Sequence, residues 1–390
     1  MNKSLQNVME SLKPDLLRFV QKMVAAKSYT GNEKAAAELA YQEMLRLNFD
    51  QAYIDEIGNA VGIIGNGPTT VFFDGHIDTV KALPKEWAFN PWAGDIIDGF
   101  VRGRGSTDMK ASICAAVYGA WAARELGYDA GKTIIVSCSV MEEDFEGVAV
   151  NYELKHLPVK PDFAVICEPT HLQISNGHYG RALFEITSLG KGIHASRHQM
   201  GDNALNKILP VIERVEQLGK KLLAAGDAVG SIASTQLETD SMSINTIPGR
   251  AVLTVDRRIA YTETEELITK EMDALCAEIP DTAWKVVEAQ AVSWTGITAP
   301  YRNFINSWRT PEDHPLVRAA CATLEALGHP PVVYRRDGCT NGWVTCGQEK
   351  IPTIIFGAGH EKNAHVINET CPIDQILTAC SFYAQLENEL

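Results

Sequence analysis

Four short apolar segments of the chain are each followed by histidine or carboxylate residues. Such segments predict buried strands, and the ligand site of an open α/β sheet lies at the carboxyl ends of its strands. Acids gathered at one buried edge repel one another unless cations are present, and histidine with carboxylate suits zinc or a similar ion in an open catalytic site. The segments, each with the residues that follow, are Val71–Phe73 with Asp74, His76 and Asp78; Thr133–Val140 with Glu142, Glu143 and Asp144; Phe163–Cys167 with Glu168; and Thr353–Phe356 with His360 and His365.

His76 and Asp78 are two residues apart, a spacing that puts both side chains on the same side of a strand. His76 can then bind a metal ion while Asp78 accepts a hydrogen bond from its other ring nitrogen, which fixes the tautomer and raises the basicity of the ligand. A core histidine paired with a nearby acid would explain the same pattern. The pair alone leaves both interpretations open.

Asp108 stands directly before a helical pattern that begins near Met109. The simplest interpretation is a helix N-cap, and Thr107 could fill that position as well. A carboxylate at this point could also bridge two metal ions with its two oxygens. The presence of His76 in the same sequence favours the metal-bridging interpretation.

Glu142 and Glu143 are adjacent, so at a strand end they point in different directions. One can bind a metal ion while the other takes a proton from a metal-activated water as a general base. The alternatives are a solvated acidic loop for this pair, an ordinary loop acid for Glu168 and a surface histidine for His365. What favours a site is that all of these residues follow predicted strands.

The order of the remaining patterns predicts two domains. Apolar runs alternate with helical patterns in the first and last parts, which indicates an α/β domain with a mostly parallel central sheet. The middle part has the order β-α-β-β-α-β of a ferredoxin-like unit. We therefore expect residues 179–291 to form an α+β domain inserted between residues 1–178 and 292–390. Its predicted elements are Gly180–Ser188, Asn203–Leu223, Thr235–Ile244, Arg250–Ile259, Glu263–Ile279 and Ala283–Glu288.

The composition is that of a globular protein of 390 residues, 45% hydrophobic and 22% charged. A net charge of −14 argues against nucleic acid or an anionic membrane as the main partner. Nine cysteines without a C-x-x-C pair predict reduced thiols in a cytoplasmic protein. Residues 1–24 predict an amphipathic helix without the apolar block of a signal peptide, and no segment has the ~20 apolar residues of a membrane span.

Five segments of the sequence form a combined motif, namely Gly75–Val80, Gly103–Lys110, Glu142–Glu143, Glu168–Thr170 and His365–Glu369. Together they resemble the co-catalytic zinc peptidases and deacylases, the family of acetylornithine deacetylase, succinyl-diaminopimelate desuccinylase, aminoacylase and the glutamate carboxypeptidases. The resemblance covers nearly the whole chain in the order that the family has. It implies a zinc-peptidase-like catalytic domain in which the inserted domain serves as a lid and for dimerisation.

The resemblance also implies the roles of the site residues. Asp108 would bridge two metal ions, most simply zinc, although cobalt and manganese can share such ligands. Glu142 would be the general base for the attack of a metal-bridging water on an amide carbonyl, and Asp78 would orient His76. The other implied metal ligands are His76 and Glu168 at one ion, and Glu143 and His365 at the other.

Residues of the inserted domain and of a late loop are implied as substrate contacts. His194, in the segment 190–196, would stabilise the oxyanion, often from the partner subunit of a dimer. Asn245 and Arg258 would bind a substrate carboxylate, a group that a guanidinium holds by paired hydrogen bonds. Thr340 would contact the same group, although the sequence of its loop differs from the Gly-Gly-Thr-Asp motif that is usual in the family.

These patterns predict an N-acyl amino acid deacylase that acts as a homodimer on a small molecule. A dipeptidase, aminopeptidase or carboxypeptidase with the same chemistry is the alternative, because only the shape of the pocket separates these enzymes. A non-catalytic metal-binding relative is the third interpretation, and the presence of Glu142 argues against it. Arg335 and Arg336 could bind an extra anionic group of the substrate, or they could be a solvated strand end.

Overall fold

The computed structural model describes residues 4–390, apart from the side chain of residue 227. These residues form two compact units. The first runs to His178 and continues with Gln290–Ala299 and Arg309–Leu390, and the second consists of Tyr179–Ala289 and Pro300–Trp308. The helix predicted for residues 1–24 is observed from Leu5, and residues 1–3 lie outside the described part.

The helices follow the apolar periodicity of the sequence, and most end close to where the pattern ends. None of those within residues 4–390 is both long and apolar enough to cross a membrane. In chain order they are α1 (Leu5–Ala25), α2 (Lys34–Arg46), α3 (Lys110–Leu126), α4 (Glu142–Phe145), α5 (Val148–His156), α6 (Ala204–Ala225), α7 (Glu265–Cys276), α8 (Pro315–Ala326) and α9 (Ile373–Glu389).

The strands include every predicted one, with boundaries shifted by a few residues. In chain order they are β1 (Gln51–Ile54), β2 (Ala60–Gly65), β3 (Thr69–His76), β4 (Ile96–Ile97), β5 (Phe100–Arg102), β6 (Lys132–Ser139), β7 (Phe163–Ile166), β8 (Ile174–His178), β9 (Gly180–Leu189), β10 (Ile193–His194), β11 (Ser231–Thr239), β12 (Thr246–Ile247), β13 (Arg250–Ile259), β14 (Thr282–Val286), β15 (Glu288–Val292), β16 (Thr298–Arg302), β17 (Phe304–Ile305), β18 (Trp308–Arg309), β19 (Val333–Arg336), β20 (Thr353–Ile355) and β21 (Thr370–Pro372).

The first unit is built on a mixed sheet with the order β1-β2-β6-β3-β7-β20-β8-β18, in which β19 also pairs with β8. Four consecutive strands, β6, β3, β7 and β20, are parallel to one another. Their side chains are almost entirely buried, as in strands covered on both faces. The predicted α/β class is confirmed, and the carboxyl ends of these four strands meet at one edge.

The second unit contains a sheet with the order β11-β13-β9-β14. Strand β9 alternates buried and half-buried residues along its length, because one face packs on the apolar core formed with α6 and α7. The observed order β9-α6-β11-β13-α7-β14 is the ferredoxin-like order. Residues 300–308 also belong to this unit, although the sequence placed them in the first, because β17 pairs with β9.

Candidate active site

The parallel strands bring the predicted metal ligands to one edge of the sheet. His76 is the last residue of β3, and Glu168 lies two residues beyond the end of β7. Glu142 and Glu143 open the short helix α4, three and four residues after β6. Because β3 lies between β6 and β7, these loops are direct neighbours. His365 comes from the long loop that follows β20.

Five side chains form two groups of three that share Asp108, and in each group the ligand atoms lie within 4.8 Å of one another. In the first group, His76 Nε2 is 3.0 Å from Asp108 Oδ1 and 3.6 Å from Glu168 Oε1. In the second, His365 Nε2 is 3.2 Å from Asp108 Oδ2 and 2.9 Å from Glu143 Oε2. The two oxygens of Asp108 thus face different histidines, the arrangement that a bridging carboxylate requires.

The hydrogen bond of His76 defines which of its nitrogens can bind a metal ion. Its Nδ1 lies 3.0 Å from the main-chain oxygen of Asp78. A carbonyl oxygen only accepts, so Nδ1 carries the proton and Nε2 keeps its lone pair in the neutral ring. Nε2 is the nitrogen that faces Asp108 and Glu168. Loss of the Nε2 proton would therefore leave the imidazole in the tautomer of a metal ligand.

The electrostatics of the group also fit divalent cations. Burial raises the pKa of Glu142 well above its usual value, and raises that of Glu143 to about 7. Burial raises the pKa of Glu168 as well, against the opposing charge of Arg336. These buried carboxylates repel one another, so ions of charge +2 would relieve a repulsion that the histidines compensate only in part. Nitrogen and oxygen donors without sulfur suit zinc at a catalytic site.

Asp78 lies two residues beyond β3 and performs a task that the sequence did not indicate. Its carboxylate is 3.5 Å from His76 Nδ1, farther than its own main-chain oxygen. The two carboxylate oxygens instead accept the main-chain N–H groups of Glu142 and Glu143, at 3.0 and 3.1 Å. Thr30 donates a further bond at 2.8 Å. Asp78 therefore fixes the backbone that carries the expected base and one expected ligand.

Asp108 does not cap the helix that follows it. Helix α3 has no side-chain cap, and the Thr107 hydroxyl donates to the main-chain oxygen of Thr370. The loop around Asp108 is held by Glu369, a fully buried residue that sequence reasoning quoted but gave no role. Its carboxylate accepts the main-chain N–H groups of Gly105, Thr107 and Asp108 and a bond from the Arg104 guanidinium. Glu369 thus ties the loop of Asp108 to the segment that contains His365.

The late Gly-rich loop is held from within. The Thr340 side chain is buried, and its hydroxyl accepts the N–H of Gly342. Asn341 donates to Asp74 and Ser139 and accepts the N–H of Gly147. These bonds fix the loop against β3 and β6. The contact of Thr340 with a substrate stays a prediction.

Within the second unit, short strand pairing brings two of the predicted substrate contacts together. Strand β10, which ends at His194, pairs with β12, and the main-chain oxygen of Asn245 accepts the N–H of Ala195 at 2.7 Å. The His194 side chain is exposed, and its Nδ1 accepts the N–H of Ser196. Arg258 is 40% exposed and paired with Asp256. The substrate contacts of these residues stay predictions.

Two arginines are buried beside acidic partners. Arg257 is fully buried, where Glu263 and Glu271 neutralise its charge, and it does not face water. Arg336 is 5% exposed and forms ion pairs with Glu168 and Glu361. Its guanidinium therefore serves the side chains of the site itself.

The chain is similar to several other proteins over most of its length. It is 32% identical over 376 residues to the uncharacterized protein YgeY of Escherichia coli (strain K12), covering 95% of this chain and 93% of that protein. It is 28% identical over 354 residues to an acetylornithine deacetylase of Vibrio atlanticus, covering 89% and 88%. The crystal structure of an M20 family metallo-carboxypeptidase, Sso-CP2 from Sulfolobus solfataricus, superimposes with a TM-score of 0.76 at 16% identity, covering 96% of this chain and 98% of that one.

The match to a family agrees with these similarities and with the geometry. The sequence model of peptidase family M20/M25/M40 matches residues 72–389. This range holds the five expected metal ligands, the expected base Glu142 and the second unit. The protein therefore belongs to peptidase family M20/M25/M40 and is a hydrolase of amide or peptide bonds.

Proposed function

We propose that this protein removes the acyl group from an N-acyl amino acid with the help of two divalent ions, preferably zinc. The observation that carries the proposal is the pair of three-residue groups that share Asp108. A fourth carboxylate, Glu142, stands beside them with Oε2 3.9 Å from His76 Nε2. Five ligands and one adjacent carboxylate are the parts that a two-metal hydrolase needs.

The residues of the chain divide the chemistry among them. Ions held by the two groups would lower the pKa of a bound water and polarise the scissile carbonyl. Glu142 would take the proton of the attacking water and deliver it to the leaving amine nitrogen. Its surroundings suit this task, since burial and repulsion from Glu168 raise its pKa, against the opposing effect of His76. Asp78 would hold Glu142 in place through the main chain.

His194 would stabilise the oxyanion, and its hydrogen bonding supports this role. Because Nδ1 accepts the N–H of Ser196, the proton of the neutral ring is on Nε2. That nitrogen can donate to a developing negative charge. Asn245 directly precedes β12, the strand that pairs with that of His194, and would bind the substrate with Arg258 and Thr340.

We also propose that the protein forms a homodimer through the second unit. Strand β11 is at the edge of its sheet, where unpaired backbone groups favour pairing with a second copy. Apolar side chains of this unit are unusually exposed, among them Leu223 at 82% and Leu237 at 41%. Sedimentation analysis tests the dimer, and a fully active monomer would exclude it.

The decisive experiment is hydrolysis by the purified, zinc-loaded protein over one panel, with and without a chelator. The panel contains N-acetyl and N-succinyl amino acids, including acetylornithine, beside dipeptides with free amines. Chelator-sensitive release of the acyl group would support the deacylase. Cleavage of the dipeptides alone would keep the two-metal chemistry and identify a peptidase, and no cleavage at all would contradict the proposal.

A further inference from the structure

The two expected metal groups differ in what holds the second oxygen of their glutamate. In the group of His365, Glu143 gives Oε2 to the histidine while Oε1 accepts the main-chain N–H of Val80 at 3.1 Å. In the group of His76, Glu168 turns Oε1 to the histidine while Oε2 accepts a bond from Arg336 at 2.9 Å. One glutamate is therefore fixed by a neutral backbone group and the other by a cationic side chain.

The topology brings Arg336 to this position. It is the last residue of β19, which runs parallel to β8, and Arg336 is opposite His178 in the register. Strand β8 adjoins β20, which adjoins β7, the strand that precedes Glu168. The side chain is 5% exposed, so its charge is buried together with that of Glu168. A buried guanidinium needs carboxylate partners, and a carboxylate so paired has little freedom to turn.

A second carboxylate holds the guanidinium from its other side. Glu361 Oε1 lies 3.3 Å from Arg336 Nε. A Cβ atom at Gly338 would lie 2.8 Å from this Glu361 oxygen and 3.3 Å from Nε, so glycine leaves room for the contact. Arg336 thus forms an ion pair with Glu361 in addition to its hydrogen bond with Glu168. The arrangement gives Arg336 the role of a positioning residue.

We propose that Arg336 sets Glu168 as a one-oxygen ligand of the His76 metal position, so that the affinity of this position depends on the Arg336 guanidinium and that of the other position does not. The inference rests on the proposed two-metal function. Partners that orient a metal ligand typically contribute about 10–100-fold to metal affinity. The position of Glu143 and His365 has no need of Arg336, because Val80 performs the corresponding task there through its backbone.

The test is titration of the metal-free, full-length protein with Co²⁺ in competition with a chromophoric chelator, followed also by the visible absorption of bound cobalt. Wild type should bind two ions. Arg336→Met should weaken one ion about 10–100-fold and change the other by less than about threefold. Arg336→Lys keeps the charge but loses the planar guanidinium, so its affinity for the weakened ion should lie between those of wild type and Arg336→Met. Arg335→Met, at the preceding residue of β19, is the matched control and should leave both affinities unchanged.

Three results would overturn the inference. Unchanged affinities in Arg336→Met would show that Glu168 orients itself. Equal weakening of both ions, together with a lower melting temperature, would give Arg336 a merely structural role. If Arg336→Met does not fold, Arg336→Lys decides alone, and wild-type affinities in that variant contradict the requirement for a guanidinium. Fewer than two ions in wild type would instead contradict the proposed function, and this is measured before any variant is compared.

Discussion

Asp78→Asn tests whether the Asp78 side chain holds the backbone of Glu142, the proposed base. An asparagine retains one acceptor oxygen and presents an NH₂ group in place of the other. In wild type the two oxygens of Asp78 accept the main-chain N–H groups of Glu142 and Glu143 at 3.0 and 3.1 Å. In the variant one of these hydrogen bonds is lost, because the NH₂ group of the asparagine then faces a main-chain N–H. We therefore expect a less stable protein in which Glu142 is badly placed.

The magnitude follows from the two parts of this change. A hydrogen bond to a charged group contributes about 1.5–3 kcal/mol, and an unsatisfied buried donor costs about 1–3 kcal/mol. Asp78→Asn should therefore lower the free energy of unfolding by roughly 3–5 kcal/mol. The rate should fall toward the loss expected for a missing general base, about 10²–10⁴-fold in kcat. If Asp78 only oriented His76, weaker metal binding would be the main effect.

The assay combines urea unfolding, cobalt titration and kcat at saturating metal. Thr30→Val is the matched control, because it removes a donor to Asp78 and leaves both main-chain bonds in place. It should change kcat by much less than Asp78→Asn does. Restoration of the wild-type rate in Asp78→Asn by excess metal would refute the reasoning, because it would leave orientation of His76 as the only function of the carboxylate.

Three further predictions concern single side chains. Glu142→Gln should keep both ions and lose about 10²–10⁴-fold in turnover, and a wild-type rate would remove Glu142 as the base. His194→Ala should lower kcat with unchanged metal content, whereas loss of metal would make His194 a ligand. Burial raises the pKa of Glu387 from 4.5 to about 8. Between these pH values the carboxyl group is protonated in the folded protein and ionised in the unfolded chain. The free energy of unfolding should therefore fall by up to about 5 kcal/mol as the pH rises from 4.5 to 8. Glu387→Gln should remove this loss in urea unfolding at pH 6 and 9, while the exposed Glu389→Gln should not; a stabilisation that is equal at both pH values would contradict the assignment.

The gathering of the candidate site residues at one edge of the sheet could be predicted from local sequence, while their roles as metal ligands and base stay predictions. His76, Glu142 and Glu168 stand at or just after apolar runs, and a parallel sheet gathers such ends at one edge. The same local reading misplaced the strand predicted for Thr235–Ile244, which is observed at Ser231–Thr239. Ile244, the last residue of the predicted strand, is fully exposed.

What could not be predicted depends on contacts between distant parts of the chain. Glu369 bonds to Thr107 across 262 positions, and Arg336 bonds to Glu168 across 168. Arg257 and Arg258 are adjacent on one strand, yet one is buried between two glutamates and the other is partly exposed. Strand alternation separates their faces, but only the packing of α7 determines which of the two needs buried partners.

The carboxylates of the site show why these distant contacts matter for the chemistry. Each oxygen of Asp108 faces its own histidine, while Glu143 and Glu168 each give one oxygen to a metal group and one to a fixed donor. A glutamate with both oxygens free could turn or bind an ion with both, which would leave the distance between the ions undefined. Because the second oxygens of Glu143 and Glu168 already accept hydrogen bonds, the orientation of both carboxylates is fixed in the metal-free protein. Ions bound by the two groups would then lie at a defined distance from each other, beside Glu142.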